Sequence, residues 1–220
     1  MTMITFICLA FVCCALAVIN IAFYNLKGWK GILVRGLFVF SLVAFSLIVQ
    51  NLREIFNAVP MFITLGLGVM LLAEVVYVSM ENDDKLKPIV NGSFFTISNG
   101  LFAFSLIALA EFNVLALAGG LLTGIGFGLI VCVLNRNKGL NRIIMNILTF
   151  ASIGAVVGLG LNTVLVSQHF ISSIMMFAGG IFLLVHRILV VSGKGKIALY
   201  LEKAFMSIAL LLITFSMFFY

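Results

Sequence analysis

The chain has 220 residues, of which 64% are hydrophobic and 9% are charged, and its formal net charge is +6. Soluble domains carry about 25% charged residues, so this composition excludes a soluble fold and indicates a membrane protein. A spanning helix needs about 20 mainly apolar residues, which leaves room for about eight spans and little else. We therefore expect a single all-α domain over residues 1–220, a polytopic bundle of transmembrane helices with no soluble catalytic module.

Apolar runs separated by short polar breaks predict the spans in chain order. They cover residues 2–24, 31–51, 60–80, 88–110, 112–134, 143–167, 169–191 and 197–220. The first run lacks a basic leader and a small-residue cleavage site, so we expect a retained helix rather than a signal peptide. Pro60 and Pro88 each begin a run, where a helix tolerates a missing N–H. Only one or two polar residues around Glu111 and around Gln168 separate adjacent runs, so seven spans remain an alternative.

Lysine and arginine residues collect near alternate breaks of this pattern. The first, third, fifth and seventh breaks are flanked by Lys27, Lys30, Arg35, Lys85, Lys87, Arg136, Lys138, Arg142, Arg187, Lys194 and Lys196, and only Arg53 belongs to the other set. Short cytoplasmic loops accumulate such residues. We therefore expect the odd-numbered loops in the cytoplasm and both termini outside, most simply in a plasma (inner) membrane. The positive charge indicates orientation, and no nucleic-acid partner is expected.

The fifth and sixth spans contain glycines at spacings of four residues. These are Gly120, Gly124 and Gly128, followed by Gly154 and Gly158. Glycines on one helical face let two helix backbones approach closely. The pattern predicts tight packing of these two helices, and a hinge or a pore lining is the alternative.

Ionisable side chains inside a span are energetically costly, so each one is a functional candidate. In the predicted topology they lie about 5–10 Å inside the same membrane face, given a rise of 1.5 Å per residue. The candidates are Arg35, Glu74, His186, Arg187, Glu202 and Lys203, with Tyr77 one turn from Glu74 and Asn99 near the middle of the fourth span. They predict a charged pocket, open to the cytoplasm, that suits a phospholipid headgroup. Arginines would hold the phosphate, and His186 could act as an acid or base.

Each candidate also has a purely structural interpretation. Arg35, Arg187 and Lys203 could extend to the lipid headgroups. Glu74 could be the partner of Arg35 or Arg187 in a structural ion pair, and Asn99 could hydrogen-bond to a neighbouring helix. The cysteines and histidines show no metal-ligand spacing, so neither a metal nor another cofactor is expected.

In two of these helices the candidates resemble motifs of the lysoplasmalogenase family, which are eight-helix membrane proteins. Arg35-Gly36-Leu37 stands where the second helix of that family carries Lys-Pro-Leu. Ala73-Glu74 stands where the third helix of the family ends in Gly-Asp. The basic residue, the carboxylate and Leu37 are thus kept in type, whereas Gly36 stands in place of the proline and Ala73 in place of the glycine.

Two further helices keep the spacing of the family but change its polar groups. Phe95, Asn99 and Phe102 replace a Phe, a His and a Tyr in the fourth helix. His186-Arg187 replaces a Ser-Asp pair in the seventh, so the second family carboxylate is absent from that position. The resemblance runs over most of the chain and supports the eight-helix fold more than it supports the catalytic residues.

The resemblance implies a hydrolase that cleaves the vinyl-ether bond of a lysophospholipid. Glu74 would protonate the vinyl-ether carbon, and water would then attack the oxocarbenium ion to release a fatty aldehyde. Activation of that water would fall to His186 or to Glu202. The remaining named candidates, Arg35, Tyr77, Asn99, Arg187 and Lys203, would bind the substrate, with Glu202 as an additional contact.

Two other functions stay open on the sequence. The changes at Asn99 and Arg187 remove the groups best suited to proton transfer, which favours a non-catalytic lipid-binding or regulatory relative. A small proton-linked transporter is the other alternative, with Glu74 as the proton site and the glycine-rich spans as moving elements. Membrane lipid is the expected partner of both the hydrolase and the lipid-binding relative. The sequence does not fix the oligomeric state.

Overall fold

The structure is a computed structural model that describes residues 2–23, 25–26, 28–54, 57–80, 86–134, 139–193 and 195–220, without the side chains of residues 2, 77–79 and 134. The described part of the chain forms eight helices: α1 Thr2–Ala22, α2 Gly28–Arg53, α3 Ala58–Ser79, α4 Lys87–Leu109, α5 Val114–Leu134, α6 Leu140–Val166, α7 Phe170–Ser192 and α8 Gly195–Ser216. A short 3₁₀ helix, Met217–Phe219, follows. All eight α-helices are long and apolar enough to cross a membrane, so the protein is a multi-pass membrane protein.

The two hairpins that left seven spans open are both formed. Asn113 ends the first of them, and its side-chain oxygen accepts hydrogen bonds from the backbone N–H groups of Leu115 and Ala116 at 3.0 and 3.1 Å. This cap satisfies N–H groups that a helix start leaves without partners. In the second hairpin, Ser167 accepts a hydrogen bond from the backbone N–H of His169 at 3.0 Å. The prediction of eight spans is therefore confirmed.

Seven of the helices form a closed ring, and one lies outside it. Helix α1 packs against α2, α2 against α3, and α3 against α4. The next neighbour of α4 in the ring is α6, not α5. The ring continues through α7 and α8, and α8 closes it against α1. The fifth helix packs on the outer side of α6. The spans α4 and α6 are accordingly the most buried, whereas α1 and α5 are the least buried.

Hydrogen bonds between helices add to apolar packing inside the ring. Lipid offers little hydrophobic force between helices, so close packing and polar contacts carry more of the association. Asn20 of α1 donates to the hydroxyl of Ser207 in α8 at 3.1 Å. Gln50 of α2 donates to the hydroxyl of Thr64 in α3 at 2.6 Å. The first bond joins α1 to α8, and the second joins α2 to α3.

The glycine faces of α5 and α6 bring the two backbones into direct contact. A Cβ atom added at Gly120 would collide with the carbonyl oxygen of Gly154, and one added at Gly124 would collide with the carbonyl oxygen of Phe150. A Cβ atom added at Gly158 would collide with the backbone of α5 in the same way. Tight packing, rather than a hinge or pore lining, is the role that these contacts show.

Candidate functional site

The predicted site residues gather at one end of the bundle. Arg35 lies in the first third of α2 and Glu74 near the end of α3, whereas His186 and Arg187 lie near the end of α7. Glu202 and Lys203 lie in the first half of α8. Because consecutive spans run in opposite directions, these positions share the end at which α1–α2, α3–α4, α5–α6 and α7–α8 connect. Of the basic residues that predicted its cytoplasmic placement, Lys27, Lys85, Arg136, Lys138 and Lys194 lie outside the described residues.

Arg35 and Glu74 form an ion pair between α2 and α3. The Nε atom of Arg35 lies 3.6 Å from Oε2 of Glu74, and the two side chains are 17% and 20% exposed. The same Nε donates a hydrogen bond to the backbone oxygen of Gly31 at 3.1 Å. Within the described structure, Oε2 of Glu74 is buried and accepts no hydrogen bond. This oxygen atom therefore keeps acceptor capacity for a ligand.

Arg187 is bound to a different helix from the one that carries Glu74. Its Nη2 donates to Oδ1 of Asn146 in α6 at 2.8 Å, and the residue is only 4% exposed. Its Nε has no partner among the described residues. No described ion pair joins Arg187 to Glu74.

His186 is buried between α4 and α8. Its Nδ1 lies 3.0 Å from the backbone oxygen of Glu202, and its ring stacks on Phe95 with centroids 5.8 Å apart. A carbonyl oxygen only accepts hydrogen bonds, so Nδ1 carries the proton in this contact. In the neutral ring, Nε2 is then the unprotonated nitrogen and can accept a proton.

Glu202 and Lys203 pair with each other at the start of α8. The Nζ atom of Lys203 lies 3.1 Å from Oε1 of Glu202, and both side chains are mostly buried. Neither group is an isolated charge that only reaches toward headgroups. With His186 and Arg187 they form a basic cluster of three cationic or titratable groups around one carboxylate.

Asn99 lies deeper in the bundle, between α4 and α6. Its Nδ2 donates to the hydroxyl of Ser152 at 3.2 Å, which is the helix-to-helix bond expected from its structural interpretation. Its Oδ1 is buried and has no partner among the described residues. Tyr77 lies in α3, but its side chain is outside the described part of the structure.

The predicted residues thus form two clusters rather than one. Arg35 and Glu74 form the first, and the charged residues of α7 and α8 form the second together with Asn146. Sequence reasoning missed Asn146 and Ser152, which are partners of Arg187 and Asn99. Asn146 could have been found as an amide one to two turns into an apolar span, at the same end as the charges. The hydroxyl of Ser152 offers no such signal, because serine is common in membrane helices.

Comparison with protein-family models, with curated proteins and with solved structures finds no match to this chain. The fold and the buried charges define its class as a multi-pass membrane protein with a polar interior at one end.

Proposed function

We propose that this protein is a lysoplasmalogenase-like hydrolase, which cleaves the vinyl-ether bond of a lysophospholipid at the end of the bundle that carries the buried charges. The observation that carries the proposal is the buried Oε2 of Glu74, which accepts no hydrogen bond within the described structure and faces a single cation at 3.6 Å. An ionisable group inside a membrane span is energetically costly, so its presence supports a functional role.

The ion pair supports a role for Arg35 in binding the substrate phosphate. An arginine binds phosphate well because its planar guanidinium can donate two parallel hydrogen bonds. A phosphate bound to Arg35 would replace Glu74 as its counter-ion. The carboxyl group of Glu74 would then be free to carry the proton that general acid catalysis requires.

The reaction needs one proton donor and one base for water. Glu74 gives its proton to the vinyl-ether carbon, which leaves an oxocarbenium ion on the adjacent carbon. Water adds to that carbon and loses a proton to Nε2 of His186, which the contact of Nδ1 with Glu202 leaves unprotonated. This step requires the substrate to extend from the cluster of Arg35 and Glu74 to the cluster that contains His186. The resulting hemiacetal breaks its C–O bond to give a fatty aldehyde and the glycerophospho-base. Protonated His186 gives its proton to the departing alkoxy oxygen, and the hydroxyl proton of the hemiacetal returns to the Glu74 carboxylate.

The arrangement of the two clusters favours one other candidate, a non-catalytic lipid-binding relative. Arg187 is held by Asn146 in α6, and no described ion pair joins it to Glu74. In that case the same cations would hold a headgroup without reaction. We further propose that this charged end faces the cytoplasm, because most basic residues of the chain flank the loops at that end.

The test is incubation of the purified protein in detergent with a lysoplasmalogen, followed by measurement of the fatty aldehyde. The ester-linked lysophospholipid of the same chain length is the matched control, because it lacks the vinyl-ether carbon that accepts the proton. Aldehyde released from the vinyl ether only is the expected result. Absence of aldehyde, together with stabilisation by both lipids on heating, would overturn the hydrolase and favour the binding protein.

A further inference from the structure

A groove of about 450 Å³ lies between α5 and α6, outside the ring of helices. Gly120 and Gly154 form part of its floor, where the two backbones touch and no side chain fills the space. Its walls are apolar and include Leu115, Phe127 and Leu165. Leu115 and Leu165 are 83% and 76% exposed, so the groove is open on the side where the bilayer lies.

A second cavity of about 250 Å³ continues this groove to the end of the bundle opposite the charged clusters. The two cavities share Asn113, Leu115 and Asn162, and the second also contacts Glu111 in the α4–α5 hairpin. From Asn113 the groove follows α5 to Phe127, about 20 Å at the helical rise of 1.5 Å per residue. It is thus polar at its mouth and apolar along its length, like a single-chain amphiphile.

Asn162 presents a donor at this mouth that the described structure does not fully use. The residue is 9% exposed and lines both cavities. Its Oδ1 accepts a hydrogen bond from Nδ2 of Asn113 at 2.9 Å, whereas its own Nδ2 reaches the backbone oxygen of Glu111 only at 3.5 Å. An amide nitrogen has two N–H groups, and a buried donor without a good acceptor is costly. An oxygen atom of a ligand would satisfy it.

We propose that this groove binds one fatty acyl chain, with its ester or carboxyl oxygen accepting a hydrogen bond from Nδ2 of Asn162. An acyl chain fits the apolar walls, and its carbonyl group lies where chain and headgroup meet, as Asn162 does at the mouth. The groove lies at the opposite end from Arg35 and Glu74, so the proposal does not depend on the proposed hydrolase.

Photo-crosslinking tests the proposal with two probes in phosphatidylcholine vesicles that contain the full-length protein. One probe is a free fatty acid with a diazirine on its chain, and the other is phosphatidylcholine with the same modified chain. Labelled peptides are identified by mass spectrometry. Labelling of the groove walls well above that of the exposed face of α1 at Phe11 is the expected result, with either probe or both. The probe that labels best identifies a free or an esterified chain.

A pair of glycine variants sets the matched control. Gly119 lines the groove and Gly126 is not among its lining residues, yet a Cβ atom at either position meets nothing within 4 Å. Gly119→Phe therefore fills the groove, whereas Gly126→Phe places the same side chain elsewhere on α5. Labelling of the walls should fall about tenfold in Gly119→Phe, which corresponds to about 1.4 kcal/mol, and should persist in Gly126→Phe.

Two results would overturn the proposal. They are labelling of the walls no stronger than on α1, and an equal loss of labelling in the two glycine variants. If Gly119→Phe elutes as aggregate in size-exclusion chromatography, Thr123→Phe replaces it, because Thr123 is an exposed residue of the groove wall. The same tenfold fall is expected for that variant.

Discussion

Arg187 in α7 donates a hydrogen bond from Nη2 to Oδ1 of Asn146 in α6 at 2.8 Å. The guanidinium is almost fully buried, and its Nε has no partner among the described residues. A buried cation is costly unless it is hydrogen-bonded or paired with an opposite charge. The amide of Asn146 therefore fixes both the position of Arg187 and the contact of α6 with α7.

Replacing Asn146 by leucine should destabilise the protein. The change removes the acceptor and leaves Nη2 of Arg187 buried without that partner, which costs about 1.5–3 kcal/mol for a hydrogen bond to a charged group. The double variant Asn146→Leu with Arg187→Met should recover most of that loss, because an apolar pair needs no acceptor. The measurement is thermal unfolding in detergent of the two single variants, the double variant and the parent.

The control for this cycle is Asn141→Leu, which changes the same residue type on an exposed position of α6. It should leave the unfolding temperature near that of the parent. Equal unfolding temperatures for Asn146→Leu and Asn141→Leu would show that the bond to Arg187 contributes nothing measurable.

Alanine at Gly124 should force α5 away from α6, whereas alanine at Gly126 should not. A Cβ atom at Gly124 would collide with the carbonyl oxygen of Phe150, and one at Gly126 meets nothing within 4 Å. Overpacking of this kind costs about 1–3 kcal/mol, whereas alanine in an open helix position gains up to about 1 kcal/mol over glycine. Unfolding temperatures in detergent should therefore move in opposite directions. A shift of the same sign in both variants would contradict the close-packing interpretation.

The spans were predictable from the sequence because lipid imposes a simple length and polarity rule on them. The arrangement of the spans was not predictable in the same way. Neighbours in sequence usually pack together, yet α4 packs against α6, and α5 lies outside the ring. That order depends on which helix faces fit each other. The spacing of the glycines in the sequence did predict the contact between α5 and α6.

The candidate site was only partly predictable. Charges in apolar spans are visible in a sequence, and the pairing of Arg35 with Glu74 followed from their depth. The depth of Arg187 could not show that α3 and α7 are separated in the ring, where α4 and α6 lie between them. Its partner Asn146 is uncharged and was not a candidate in the sequence, so the division into two clusters became visible only in the structure.

A reporter domain fused after Tyr220 should lie outside the cell, and one inserted between α5 and α6 should lie in the cytoplasm. The reason is the excess of Lys and Arg near the odd-numbered loops. Alkaline phosphatase activity for the first fusion and fluorescence of a green fluorescent protein for the second are the measurements. The eight spans place both termini on one side, so a fluorescent fusion after Tyr220 would reverse the orientation and the cytoplasmic placement of the charged end.

Glu74→Gln should abolish aldehyde release while the protein stays folded and inserted in the membrane. The amide keeps the shape of the side chain but has no transferable proton, and general acid catalysis contributes about 10²–10⁴-fold to rate. Aldehyde release per folded molecule is the measurement, with folded protein quantified by size-exclusion chromatography. Glu111→Gln makes the same change on an exposed residue at the other end of the bundle and should retain the parent rate.

A purely structural role for Glu74 predicts the opposite result for Glu74→Gln. If the carboxylate serves only as a counter-ion of Arg35, which lies 3.6 Å away, the amide removes its negative charge from that pair. Both side chains are partly exposed and the charge is screened, so the loss of stability should be at most about 1 kcal/mol, as for exposed pairs. Activity per folded molecule would then stay at the parent rate while the unfolding temperature falls. That combination would refute the catalytic assignment and leave the ion pair as the function of Glu74.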